Sequence, residues 1–158
     1  MSVRSEVKLL RQVPLFATVD PAQLQVVVFS AQRVEVGADE TLFAAGDQVG
    51  AGFLVLNGDG EVLKPEAGEH VQVALVEAGA FLGELAMVAN LPVSVTVRAR
   101  TPMRALRIGH DLFLRVCGEF PDIGTKVMEA LASRLDTSME DLRQAKAYFD
   151  RARPFTRS

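Results

Sequence analysis

The stretch whose residue types could do chemistry is FLGELAMVANLPVSVTVRA, from Phe81 to Ala99. Gly83 and Glu84 head a run of good helix formers, and the first turn of any helix leaves backbone N–H groups without partners inside the helix. Gly83 has no Cβ, so an anion such as a phosphate can approach those amides closely. As a purely structural residue, Glu84 equally suits a helix N-terminal turn, where the macrodipole favours negative charge. Other reactive sets are absent. A jelly-roll metal site would need clustered histidines with a carboxylate, but His70 and His110 stand apart and outside any H-x-H pair, so each reads as a surface or turn histidine. Neither G-x-S-x-G nor G-x-x-x-x-G-K-[ST] occurs, so no enzyme activity, metal or required cofactor is expected.

The elements that must position this stretch follow from periodicity. Val3, Val7 and Leu10 share one helical face, and Asp20-Pro21 opens a second helix through Leu24, Val27 and Val28, with Asp20 as N-cap and Pro21 at the first helical position. From residue 31 the period falls to two. Seven strands are predicted: Arg33 to Val36, Thr41 to Ala44, Phe53 to Leu56, Glu61 to Leu63, His70 to Val76, Val93 to Arg100 and Met103 to Ile108. They follow one another with glycine punctuation and without long helical crossovers, so the sheet is expected to be antiparallel. A short helix over 81–90 interrupts them. Helical spacing returns with Asp111 to Cys117, stopped at Gly118, and then a long helix from Pro121 to about Tyr148. The expected fold is mainly β with flanking helices. It is an antiparallel β-roll, or jelly roll, with N-terminal helices over 1–30, the roll over 31–110, C-terminal helices over 111–150 and a tail over 151–158.

In that context the stretch from Phe81 resembles the phosphate-binding cassette of the cyclic-nucleotide-binding domain family, the module of catabolite-activator-type regulators, kinase regulatory subunits and cyclic-nucleotide-gated channels. The resemblance runs from about Leu10 to Leu135. Val13-Pro14-Leu15-Phe16 followed by Leu24 is similar to the family's entry helix, Phe43-Ala44-Ala45-Gly46-Asp47 to its second-strand turn, and Phe53-Leu54-Val55-Leu56-Asn57-Gly58 to the strand before its glycine turn. The resemblance implies a ligand site built from Phe81, Leu82, Gly83, Glu84, Leu85, Ala86, Pro92, Val93, Ser94 and Val95. By the same resemblance, the glutamate at position 84 accepts from a ribose 2′-hydroxyl, and an arginine after the proline pairs with the cyclic phosphate. Pro92 and Ser94 match. Val93 stands where that arginine would be, and Val95 replaces a more usual alanine.

Loss of a charged hydrogen-bond partner costs about 1.5–3 kcal/mol, or roughly 10- to 150-fold in affinity. On a strand begun at Val93, Arg98 faces the opposite side and Arg100 lies about 23 Å further on at ~3.3 Å per residue, so neither replaces the anchor. Three readings follow: weak binding of cAMP or cGMP, binding of a less anionic small molecule, or an empty shell retained for dimerisation or protein contact. The family's mechanism implies that a bound ligand draws the C-terminal helices toward the roll about a hinge near Phe113 to Phe120.

Composition bounds the rest. The chain has 158 residues, is 49% apolar and carries a formal charge of −3, which supports a real core and excludes both disorder and a global basic field for polyanions. Its one cysteine, Cys117, reads as a small buried hydrophobe and fits a reducing compartment. No secretory leader or run of ~18 apolar residues is seen, so a cytoplasmic protein without membrane insertion is expected. Met128, Leu131, Leu135, Ser138, Leu142, Ala145 and Phe149 recur at alternating steps of three and four, an a/d seam. Homodimerisation through Met128, Leu131, Leu135, Leu142 and Phe149 is the expected cover, folding back on the roll being the alternative. Arg143, Lys146, Arg151, Arg153 and Arg157 make the tail basic. Such residues also suit a helix C-terminus, and with the chain ending near there sequence-specific DNA binding by this chain alone is not expected.

Overall fold

The computed structural model describes residues 2–135. Helix α1 (Val3–Arg11) is capped by the Ser2 hydroxyl, which accepts from the Ser5 amide at 3.2 Å. A 3-10 turn (Pro14–Phe16) leads to α2 (Pro21–Ser30), where the Asp20 carboxylate accepts from the Ala22 amide at 2.8 Å and Pro21 takes the first helical position as expected. The strands are β1 (Gln32–Val36), β2 (Thr41–Phe43), β3 (Ala51–Asn57), β4 (Gly60–Glu66), β5 (Glu69–Val76), β6 (Phe81–Leu82), β7 (Thr96–Ala99) and β8 (Met103–Gly109). Helix α3 (Glu84–Ala89) lies between β6 and β7, and α4 (His110–Glu119) and α5 (Pro121–Leu135) follow β8.

All pairings are antiparallel, in two four-stranded sheets ordered β1-β8-β3-β6 and β2-β7-β4-β5. β3 is apolar on both faces and β8 sends apolar residues to both, because each separates two cores. On the side facing the second sheet, Phe53 and Val55 of β3 and Met103 and Ala105 of β8 join Phe43, Val62, Val97 and Ala99 inside the roll. On the other side, Leu54, Leu56, Leu106 and Ile108 meet Leu10, Leu15, Phe16, Leu24 and Val28 of the N-terminal elements and Phe113, Val116, Ile123, Val127 and Leu131 of the C-terminal helices. An ion pair on a buried carboxylate ties α1 to β1: Arg33 Nε donates to Glu6 Oε2 at 3.1 Å, and Arg33 Nη2 donates to Glu6 Oε1.

Four expectations need correction. Phe81 and Leu82 are not helical; they form β6, paired with Leu54 and Phe53, and the helix starts only at Glu84. The strand expected over Val93 to Arg100 starts at Thr96, because the main chain of Val93 bonds to a turn rather than to a neighbouring strand. Gly118 does not stop α4, which continues to Glu119 and ends at Phe120, the residue that Pro121 restricts. Leu131, expected in an intermolecular seam, is 3% exposed and buried in its own chain, on the same face of α5 as Ile123 and Val127. The remaining seam positions from Ser138 to Phe149 lie outside the described residues, and of Leu135 only the backbone is described.

Candidate functional site

The cassette segment is wedged between the two cores. Ala86 of α3 packs inside the roll, while Met87 and Val88 pack on the helical side. Its position depends on two glycines. A Cβ on Gly52 would stand 2.6 Å from Cζ of Phe81 and 3.2 Å from Cβ of Met87, so only a bare backbone lets β6 and α3 lie against β3. Gly83 caps α3 with φ of 80°, and a Cβ there would sit 2.8 Å from the Ala51 carbonyl oxygen. Phe81 meets Phe16 edge-on at 5.5 Å, joining the cassette to the N-terminal 3-10 turn.

Beyond α3 the chain turns at Asn90, whose carbonyl and side-chain oxygens both accept from Gln48 Nε2, the latter at 3.2 Å. The next residues face the turn after β2. The Val93 amide donates to the Asp47 carbonyl at 3.0 Å, and the Val93 carbonyl accepts from the Gly46 amide at 2.7 Å. Thr96 Oγ1 accepts from the Ala45 amide at 3.0 Å, and Asp47 Oδ2 accepts from the Ala44 amide at 3.1 Å. The loop path is therefore held by main-chain, hydroxyl and carboxylate bonds, none of which uses the side chain at position 93.

The structure places the expected site residues as follows. Phe81, Leu82, Gly83, Glu84 and Leu85 are half-buried at the start of the cassette, and Ala86 is buried beneath it. Pro92 and Ser94 are exposed, and Val95 is half-buried against the roll core. Val93 is 7% exposed and belongs to that apolar core with Phe43, Phe53 and Val97. No cation takes its place from nearby in the chain. Between Arg33 and Arg98 the only lysine or arginine is Lys64, which is exposed on β4. Arg98, set aside above by strand parity, is unavailable for a different reason: its Nη2 is paired with the carboxylate of the largely buried Glu61 on β4.

Sequence reasoning missed one residue beside this site. His110 is neither a free surface residue nor in a turn; it is half-buried as the first residue of α4, and its Nδ1 lies 2.6 Å from the Met87 carbonyl oxygen on α3. The other histidine, His70, is exposed on β5 at a sheet edge. Among the described residues no three His, Cys, Asp or Glu side chains come together as metal ligands would, and no helix is long and apolar enough to cross a membrane.

A two-sheet roll, a short glycine-capped helix inserted in it and C-terminal helices packed outside define a cyclic nucleotide-binding fold. The chain belongs to the cyclic nucleotide-binding domain family, whose pattern matches residues 33–120. That family is a regulatory binding module. The chain is similar to the cAMP-dependent protein kinase regulatory subunit of Blastocladiella emersonii, with 29% identity over 116 residues, 72% of this chain and 28% of the relative. It thus spans little more than a quarter of that relative's length. Among solved structures it is similar to the N-terminal domain of a transcriptional regulator from Streptomyces coelicolor A3(2), with 27% identity, a TM-score of 0.76 and coverage of 82% of this chain and 94% of that one. It is also similar to the regulatory domain of Toxoplasma gondii PKA, solved with cAMP, with 28% identity, a TM-score of 0.68 and coverage of 72% and 44% respectively.

Proposed function

We propose that this domain is a regulatory sensor, not an enzyme, whose cassette binds cAMP or cGMP weakly or takes a less anionic small molecule in their place. The observation that carries this reading is the burial of Val93 in the apolar core at the position where the family's arginine would hold the phosphate. A ligand there retains the Gly83 helix start, Glu84 and Ser94, but loses a charge-assisted bond worth about 1.5–3 kcal/mol. Calorimetric titration of cAMP and of cGMP into the wild type and into Val93→Arg tests it. Weak wild-type binding and a gain of roughly tenfold or more in the variant are expected; tight wild-type binding, or no gain, overturns it.

Ligand occupancy is read out through α4 and α5, whose joint at Phe120-Pro121 falls at the end of the hinge expected near Phe113 to Phe120. A second reading, a ligand-free dimerisation or interaction module, is favoured by the filling of the roll interior with Phe43, Phe53, Val62, Val93 and Val97. In either reading the protein works in the cytoplasm as a homodimer through Met128, Leu135, Leu142 and Phe149, without sequence-specific DNA contact of its own. Met128 suits that role, being half-buried beside an open apolar groove of about 640 Å³ with Cys117, Gly124 and Ala132. Analytical ultracentrifugation of a Leu135→Asp, Leu142→Asp double variant is expected to give a monomer, and a persistent dimer removes this seam as the interface.

A further inference from the structure

The junction of β8 with α4 borders a cleft of about 470 Å³, a volume typical of small-molecule sites. Gln32, Asn90, Arg107, His110, Asp111 and Arg115 are among its lining residues. We propose that this cleft is a second ligand site, specific for a small phosphate-bearing anion, and that its occupancy fixes α4 against the roll.

Two guanidinium groups carry the proposal. None of the ion pairs among the described residues includes Arg107 or Arg115; those pairs are Arg33 with Glu6, Arg98 with Glu61 and Arg104 with Glu35. Arg107 is half-buried and held in place: its Nη2 donates to the Val49 carbonyl at 3.2 Å, while its Nη1 lies close over Gly109 at the start of α4. That bond uses one of five N–H donors and leaves the fork with spare donors of the geometry that phosphate oxygens accept. Arg115 joins it from the second turn of α4.

The surroundings agree in charge. Gly109 caps α4 without a side chain, and the His110 amide is already taken by the Gly50 carbonyl at 2.8 Å. The amides of Asp111 and Leu112, both lining residues, have no helical partner and add to the guanidinium groups. Asp111 contributes the one carboxylate of the lining against the two guanidinium groups of Arg107 and Arg115, which leaves the site net positive. The Met87 carbonyl can only accept, so Nδ1 of His110 donates to it. His110 supplies position. It links α4 to the cassette helix α3, and an anion bridging Arg107 on β8 to Arg115 on α4 would brace that same link.

The proposal does not depend on what the cassette binds, and its test keeps the two apart. Inorganic phosphate and pyrophosphate are titrated calorimetrically into the full chain at constant ionic strength, with chloride as the control anion. Saturable binding is expected, tighter for pyrophosphate, the more highly charged anion. Arg115→Gln, at an exposed position, should weaken it about tenfold or more, Arg107→Gln likewise, and Asp111→Asn should tighten it. Val93→Arg should leave it unchanged. The proposal is overturned by absence of saturable binding, by equal binding to wild type and Arg115→Gln, or by a pyrophosphate affinity that responds to Val93→Arg, which would locate the anion in the cassette.

Discussion

Replacing Val93 by arginine should couple the stability of this domain to its ligand. In the unliganded protein the valine is 7% exposed inside the roll core, so its removal forfeits roughly 1.5–3 kcal/mol of side-chain burial. The incoming guanidinium must reach water past Phe43 and Val97 or be desolvated in an apolar setting. For a domain of this size each kcal/mol moves the midpoint of thermal unfolding by roughly 2–4 °C, so Val93→Arg should melt about 3–12 °C lower than wild type. With cAMP the balance reverses. A ligand at 100 times its dissociation constant stabilises by about 2.7 kcal/mol, which returns roughly 5–11 °C to the variant. Wild type at the same cAMP concentration should move much less. Differential scanning calorimetry of both proteins, with and without cAMP and with AMP as a control, reads all four quantities. An unliganded variant as stable as wild type would show that Val93 is not part of the core, and a variant indifferent to cAMP would show that position 93 does not face the phosphate.

Three further outcomes follow from the geometry. Arg33→Ala should destabilise by roughly 3–5 kcal/mol in urea denaturation, and more than Glu6→Ala, because the carboxylate left behind is 1% exposed whereas the guanidinium reaches solvent; equal losses would contradict the burial of Glu6. Gly83→Ala should cost at least about 1–2 kcal/mol for the left-handed backbone alone, with a further loss from the approach to the Ala51 carbonyl, and a neutral effect on the melting midpoint would refute the close packing of cassette and β3. Burial pushes the Cys117 thiol above its ordinary value, so iodoacetamide should alkylate it at pH 7.5 more slowly in the folded protein than in urea. The stability that the neutral thiol contributes is complete below the ordinary thiol value and is lost as pH rises from there through the raised value of the folded protein.

The roll and its flanking helices were legible because their signals are local. Period-two alternation, glycines between strands and the Asp20-Pro21 start each act within a few residues. The misread positions depend on contacts made far along the chain. Phe81-Leu82 carries helix-compatible residues, yet two residues suffice for a strand when Phe53 and Leu54 offer a partner edge. Val93-Ser94-Val95 has strand-like composition, but the turn at Gly46 and Asp47 captures the main chain of Val93 first. Nothing near Glu6 in the sequence announces a buried carboxylate, since its partner Arg33 lies 27 positions away. His110 was misread for the same reason: the carbonyl that orients it belongs to Met87. Within the cassette, Gly83, Glu84 and the substituted Val93 were readable as a pattern, whereas the burial of Val93 required the second sheet.

The lacing of residues 93 and 96 to the turn at 45–47 separates the route of the loop from the chemistry it displays. Backbone amides and one threonine hydroxyl hold the path, so on the proposed reading a lineage that accepts the loss of core packing could exchange the side chain at position 93 and retune what binds there while these bonds stay in place. Such a scaffold lends itself to diversification: one architecture, kept intact, from which receptors for chemically unlike messengers can be drawn.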